Sequence, residues 1–198
     1  MGGNRKSFRK KRVKMKNTLD FSPYKIIKKA LKGLKNNEQK VICGRFGIDE
    51  DRKTLSAIGR ELKLSRERIR QIERDGLKRL VAEISKENIS EKTLNLFKEI
   101  GGITVLEKIS DKFLSEDQKN NKNEFNSLNL LFCLMPQLRK IEKTRELEES
   151  WVLAEMQKED LAKIVDDWAV YLEKNKKPET VEVLVNVHPD HKKYEITF

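Results

Sequence analysis

Apolar residues recur at spacings of three and four from Pro23 onward, which is the pattern of helices that bury one face. The first such helix is marked by Ile26, Ile27, Ala30, Leu31 and Leu34. A polar break at residues 36 and 37 separates it from a second helix, which we expect to end at Gly47 because glycine readily adopts a left-handed C-cap. Two helices and a polar loop at residues 49 to 53 are therefore predicted.

A short helix, a tight turn and a longer helix follow this loop. Thr54 is a good N-cap for a helix through Leu62, in which Gly59 would allow a close neighbour, and Ser65 caps the next helix. In that next helix one side carries Ile69, Ile72, Gly76 and Leu80, and the opposite side carries Glu67, Gln71, Arg74 and Lys78. This arrangement predicts a helix-turn-helix, whose second helix enters the major groove of DNA with its N-terminus first.

The second half of the chain has the pattern of a winged helix. After a polar hinge at residues 85 to 90 we expect helices at about 91 to 100 and from Thr104 to Leu114, separated by a Gly101-Gly102 turn. A polar linker then precedes an apolar helix from Phe125 to Leu134. Two strand-like segments at residues 138 to 144 and 150 to 155 flank a charged tip and complete the three helices and hairpin.

A last amphipathic helix has Leu161, Ile164, Val165, Trp168 and Leu172 on one face. Two interpretations remain open: it is a core helix of the same domain, or it is a helix for a dimer or another partner. A valine-rich, strand-like stretch then leads to Phe198.

Charge divides the chain into a basic front and a mildly acidic back. The net charge is +11, but residues 1–86 hold 26 bases and 10 acids, while the remaining residues have a net charge of −5. Such asymmetry predicts a polyanionic partner for the front half, and nucleic acid is the partner that fits a helix-turn-helix. The eight bases of residues 1–16 predict a flexible arm that either touches phosphates or is only solvated.

The predicted fold class is mostly α, with four segments. These are a basic arm at residues 1–20, a helix-turn-helix DNA-binding domain at 21–86, a winged-helix α+β domain at 87–156, and the amphipathic helix with its extension at 157–198.

Membrane, secretory, redox and catalytic classes have little support in the sequence. No apolar run approaches the roughly 18 residues of a membrane span, and no signal peptide is recognisable, so we expect a cytoplasmic protein with no membrane partner. Cys43 and Cys133 are expected to be reduced core residues, because two isolated cysteines form neither a disulfide framework nor a zinc site. His188 and His191 lie on either side of a proline and lack a third ligand. We therefore predict no enzyme activity, no catalytic residue, no metal and no cofactor.

The segment RFGIDEDRKTLSAIGRELKLSRERIRQIERDGLKRL, residues 45 to 80, closely resembles region four of housekeeping-type bacterial sigma factors, and the resemblance extends over about residues 24–84. It implies a module that reads the promoter element near minus 35, within the bacterial nucleoid. The printed sequence has no counterpart of the upstream sigma regions, so we do not expect promoter melting. The second half resembles, by element order and Gly-Gly placement, the HARE-type helix-turn-helix domain.

Arginine, glutamine and carboxylate side chains can read guanine, adenine and the cytosine amine respectively. The resemblance implies that Arg66, Glu67 and Gln71 contact base edges, with Arg68 and Arg70 at phosphates or neighbouring bases. Phosphate contacts are implied for the backbone near Leu55 and for Arg45, and Lys53, Arg74 and Lys78 would extend them. The competing interpretation is a solvated helix face, although like charges at Arg66/Arg70 and Arg70/Arg74 oppose a purely stabilising role.

The sequence thus predicts a sequence-specific regulator of transcription that binds double-stranded promoter DNA. The resemblance also implies a contact with the RNA polymerase core, through the tip of the β-subunit flap. An alternative is a sigma-mimicking or anti-sigma-like adaptor that binds polymerase with little affinity for DNA. A third possibility is a fragment of a longer factor.

Overall fold

The computed structural model of the protein describes residues 18–85, 89–144, 148–156 and 158–178. The basic arm up to residue 17, the pair His188 and His191, and the extension over residues 179–198 lie outside these ranges. The described part of the chain is mostly helical and contains one three-stranded antiparallel sheet, which confirms the predicted fold class.

Four helices form the first part of the chain: α1 (Pro23–Leu31), α2 (Asn36–Phe46), α3 (Leu55–Leu62) and α4 (Arg66–Ile84). Gly47 ends α2 in the left-handed conformation, at φ 71°. The hydroxyl of Thr54 accepts a hydrogen bond from the Ala57 N–H, and that of Ser65 accepts one from the Arg68 N–H. The predicted caps are confirmed, because short side-chain acceptors satisfy N–H groups that have no partner inside the helix.

The second part contains α5 (Ile89–Glu99), β1 (Ile103–Val105), α6 (Ile109–Phe113), α7 (Glu116–Lys119), α8 (Lys122–Cys133), β2 (Leu138–Ile141), β3 (Ser150–Leu153) and α9 (Lys158–Asn175). The strands are antiparallel in the order β1-β3-β2. Four α-helices, α5 to α8, precede the β2-β3 hairpin, and β1 pairs with β3 at the edge of the hairpin. This part is therefore α+β, and we call it the winged-helix part after the predicted order of its elements.

Two predicted boundaries in this part are wrong. Thr104 and Val105 begin no helix: they belong to β1, where Thr104 is opposite Trp151. The left-handed glycines 101 and 102 reverse the chain, and the β-branched run from Ile103 favours a strand. The expected polar linker contains α7, which is stabilised by a capping box between Ser115 and Gln118.

Aromatic rings fill the centre of the second part. The Phe113 and Phe132 ring centroids are 5.0 Å apart, and Phe97 and Trp151 lie within 5.6 Å of the Phe132 ring. Leu161 of α9 belongs to the same hydrophobic cluster, which supports the interpretation of α9 as a core helix.

The hydrophobic core continues from the first part of the chain into the second. A single cluster contains Ile27 and Leu80 as well as Phe97 and Phe132. It also contains Leu19, which is buried and whose N–H donates to the Phe113 carbonyl at 2.9 Å. Leu19, just before α1, is therefore anchored to α6.

The N-terminus of α1 is capped by a carboxylate from α8. The Glu124 carboxylate accepts one hydrogen bond from the Ser22 hydroxyl at 2.5 Å and another from the Tyr24 N–H at 3.0 Å. Glu124 is only 6% exposed. A negative charge is favourable at this end of a helix, where the peptide N–H groups point outward. Glu124 therefore joins the two parts of the chain by a buried, charge-assisted contact.

Two asparagines of α8 hold the loop that follows α2. The Asp49 N–H donates to Asn123 Oδ1 at 2.9 Å, and Asn126 Nδ2 donates to the Gly47 carbonyl at 2.8 Å. The Asp49 carboxylate accepts hydrogen bonds from Lys28 and Tyr24, which lower its pKa. One side of α8 is thus in contact with α1 and with this loop.

Both cysteines are free thiols, but only one of them fits the expected core position. Cys43 is half-buried, whereas Cys133 is exposed at the last residue of α8, where Phe132 and Leu134 take the inward positions. The expectation of a core position is therefore wrong for Cys133.

We expect Glu124→Gln to lower the free energy of unfolding by about 1 to 3 kcal/mol. The amide is uncharged, and its buried NH2 group would face the Ser22 hydroxyl or the Tyr24 N–H, which are themselves donors. The measurement is urea denaturation of the full chain. Glu155→Gln is the matched control, because Glu155 is exposed and lies in a turn. An equal change in both variants would contradict the role of Glu124.

Candidate nucleic-acid interface

The turn between α3 and α4 is built on close backbone contact. The Leu64 N–H donates to the Gly59 carbonyl at 2.9 Å, and Lys63 takes the left-handed conformation at φ 56°. A Cβ atom at Gly59 would lie 2.7 Å from the Leu64 carbonyl oxygen. The close neighbour that the sequence predicted for Gly59 is therefore the backbone of the turn itself.

A small hydrophobic cluster fixes the angle between α3 and α4. It contains the buried residues Val41, Ile58, Ile69 and Ile72 and is separate from the main core. Further along α4, Leu80 and Ile84 enter the main core. The start of α4 is thus held by local packing, and its end is held by the rest of the molecule.

The start of α4 brings the three predicted base-reading residues together. Arg66 and Glu67 are exposed in the first turn, and Gln71 follows one turn later, half-buried. Because residues four apart share a helix face, Glu67 and Gln71 are neighbours. The N-terminus of a helix also favours anions, so this end of α4 is suited to approach a phosphate backbone.

Two of these side chains have partners on the same helix. Arg70 Nε and Nη2 donate to the Glu67 carboxylate at 2.9 and 2.8 Å, and these bonds lower the pKa of Glu67. Arg68 Nη1 donates to Gln71 Oε1 at 3.1 Å. The pairs orient the Glu67 and Gln71 acceptors on the surface of α4.

The predicted phosphate contacts divide into exposed and internally bonded groups. Arg74 and Lys78 are exposed on α4, and Leu55 opens α3, where the first N–H groups have no partner inside the helix. Lys53 Nζ pairs with Glu50 at 2.6 Å and with Glu61 at 3.0 Å, and these contacts raise its pKa.

Arg45 is engaged inside the protein. Its Nε donates to Glu73 Oε1 at 3.1 Å, and its Nη1 donates to the Lys53 carbonyl at 2.9 Å. Sequence reasoning missed Glu73, because a partner 28 residues away leaves no signal in local spacing.

Within the described residues, no group of three or more His, Cys, Asp or Glu side chains could hold a metal ion. In the same part of the chain no helix is both long and apolar enough to cross a membrane.

Comparison with known proteins identifies this part of the chain. Residues 30–81 match the family model of Sigma-70, region 4. The chain is 41% identical over 66 residues to the RNA polymerase sigma factor SigA of Clostridium acetobutylicum, and 46% identical over 56 residues to the RNA polymerase sigma factor RpoD of Helicobacter pylori. These matches cover 31% and 27% of this chain, but only 18% and 8% of the relatives.

The predicted resemblance to sigma region four is therefore confirmed over residues 30–81. The chain spans less than a fifth of the length of the curated relatives it matches. No solved structure matches the chain. The family match ends before the winged-helix part, so the HARE-type resemblance stays a prediction.

We expect Gly59→Ala to destabilise the protein by roughly 1 to 3 kcal/mol, because the added methyl group meets backbone rather than a movable side chain. Alanine ordinarily stabilises a helix interior relative to glycine by about 1 kcal/mol. Destabilisation by Gly59→Ala would therefore have the opposite sign to the helix-propensity effect. In the control Gly33→Ala the new Cβ has no neighbour closer than 3.4 Å, and we expect a change within about 0.5 kcal/mol. Urea denaturation measures both, and a stabilised Gly59→Ala variant would contradict the close contact.

Proposed function

We propose that the protein is a non-enzymatic, sequence-specific regulator of transcription that reads minus-35-type promoter DNA through the major groove and associates with RNA polymerase. The observation that carries the proposal is the exposed start of α4, where Arg66, Glu67 and Gln71 lie within two turns of a capped helix N-terminus. The match to Sigma-70, region 4 supports DNA binding and a link to polymerase at a coarser level.

The proposed base contacts follow from the donors and acceptors of these side chains. The Arg66 guanidinium has the fork that fits guanine O6 and N7, and the Gln71 amide fits adenine N6 and N7. The Glu67 carboxylate would accept from a cytosine amine. Arg70 donates to both oxygens of this carboxylate and so fixes its orientation. Each oxygen keeps a lone pair that could accept the amine.

Phosphate contacts would set the position of α4 without reading sequence. We assign them to the N–H of Leu55, to the exposed side chains of Arg68, Arg70, Arg74 and Lys78, and to Lys53 and Arg45, which keep further N–H donors beyond their internal bonds. The basic charge of the first 86 residues would draw the duplex to this side of the molecule.

The winged-helix part is proposed to be a structural partner of region 4 and not a second reader of DNA. The first turns of α8 are bonded to α1 and to the loop at Gly47, so they are covered where a duplex would lie. Residues 142–149 carry four acids and two bases, and a segment of that charge would repel phosphates.

The proposed polymerase contact is the tip of the β-subunit flap, received by the region 4 helices. α1 packs against α4 and α8 and buries Ile27 and Leu31, so a flap segment entering beside α1 would have to displace α8.

The second candidate function is the polymerase-binding adaptor with little DNA affinity. It is favoured by one observation: Glu67 and Gln71 are both bonded to arginines of α4 in the free protein.

Base reading can be tested with a duplex selected by the full chain from a random pool, compared with its scrambled form. We expect Arg66→Ala and Glu67→Ala to lose about 1 to 3 kcal/mol on the selected duplex only. Lys78→Ala should weaken both duplexes alike and reduce the salt slope by about one. Fluorescence anisotropy over a range of salt concentrations measures these effects. Equal losses on both duplexes for Glu67→Ala would rule out its base contact.

The two candidate functions differ in what binds polymerase. We expect the tagged full chain to retain RNA polymerase core, and the variant Arg66→Ala/Glu67→Ala to retain it equally while losing the selected duplex. Polymerase that lacks the flap tip should not be retained. Undiminished retention of that polymerase would contradict the flap contact. If the wild-type chain binds polymerase but selects no duplex from the random pool, the adaptor function is favoured.

A further inference from the structure

Glu73 is an acid on the helix proposed to enter DNA, two residues beyond Gln71. Its side chain is only 16% exposed, so it differs from the solvated acids elsewhere on this surface. A carboxylate on a helix that binds DNA repels the phosphates and so weakens binding. We therefore expect Glu73 to have a structural role that offsets this repulsion.

The Glu73 carboxylate is held by Arg45, and Arg45 in turn holds the segment before α3. The guanidinium donates through Nε to Glu73 and through Nη1 to the carbonyl of Lys53, at 3.1 and 2.9 Å. Lys53 directly precedes Thr54, the N-cap of α3. One planar group therefore connects the reading helix α4 to the N-terminus of α3.

Other hydrogen bonds hold the same segment to α2. The Lys53 N–H donates to the Gly44 carbonyl at 2.7 Å, and Arg52 Nε donates to the Arg45 carbonyl at 3.1 Å. Glu73 adds a polar connection from α4 to Arg45, whose side chain is 26% exposed, to the apolar packing between α2 and α4. Removing the Glu73 charge would keep the apolar packing of α2 and α3 on α4 but would release the segment before α3 from its polar link to α4.

We propose that Glu73 is a positioning residue for DNA recognition, which acts through Arg45 to fix the distance between the start of α3 and the base-reading start of α4. This inference rests on the proposed function, because it assigns a phosphate contact to the α3 N-terminus and base contacts to α4. DNA fixes the spacing between a phosphate and the neighbouring base edges. A protein must therefore hold both contacts at that spacing to read sequence.

The proposal predicts that two acid-to-amide changes on α4 alter the affinity for the selected duplex in opposite directions. Asp75→Asn removes an exposed acid, and it should tighten binding to selected and scrambled duplexes alike through weaker repulsion. Glu73→Gln removes the same charge, yet it should weaken binding to the selected duplex by roughly tenfold, since a charge-assisted bond that sets the geometry is lost. Binding of Glu73→Gln to the scrambled duplex should not fall.

A second variant separates positioning from a simple phosphate contact of Arg45. Arg45→Lys keeps the positive charge but lacks the planar fork that reaches Glu73 and the Lys53 carbonyl together. Positioning predicts that Arg45→Lys loses affinity for the selected duplex by about the same factor as Glu73→Gln. It also predicts that the double variant loses no more than either single variant. Full affinity in Arg45→Lys would overturn the proposal.

The experiment is fluorescence anisotropy of the full-length variants on both duplexes, with thermal unfolding recorded to show that each is folded at the assay temperature. If the wild-type chain selects no sequence, the proposed function fails. If the wild-type chain is selective and Glu73→Gln binds the selected duplex as tightly as Asp75→Asn, the positioning role alone fails. Should Glu73→Gln be unfolded at the assay temperature, Arg45→Lys and its comparison with wild type decide the question.

Discussion

The arrangement of the molecule depends on the burial of the Glu124 carboxylate at the first turn of α1. A buried carboxylate is costly unless it is fully hydrogen-bonded, and here Ser22 and the Tyr24 N–H supply the donors. Because these donors exist only when α1 lies beside α8, the contact selects one orientation of the two parts. The apolar surfaces of both parts then close into a single core on either side of it. The region 4 helices in this chain are therefore part of a larger folding unit.

The proposed DNA-binding surface lies at the edge of that unit, and a different set of interactions stabilises it. The start of α4 is fixed by four buried aliphatic residues and by the close turn at Gly59, whereas the end of α4 is embedded in the main core. Polar contacts supply the rest of the rigidity. Arg45 and Lys53 draw the loop before α3 toward acids on neighbouring helices. This proposed interface is thus held in shape by side chains of both charge signs.

Local patterns in the sequence were sufficient for most of the elements. The caps at Thr54 and Ser65, the end of α2 and the buried side of α4 all depend on neighbours within a few positions. The strand at Ile103–Val105 was missed because its pairing with β3 is distant in sequence. The same holds for Leu19, Glu124 and Glu73, whose partners lie between 28 and 102 positions away, and the sequence alone does not specify such pairs.

The distance along the chain between Tyr24 and Glu124, 100 positions, has a consequence for synthesis on the ribosome. At elongation rates of 5 to 20 residues per second, α1 is made about 5 to 20 s before the carboxylate that caps it. During that interval the apolar side of α1 has no α8 to cover it, and the nascent region 4 helices expose surface that the finished protein buries. Completion of the fold must wait for α8, because contacts between distant parts of a chain form late and slowly. The timing of translation is therefore coupled to when the helices that match region 4 acquire their final support.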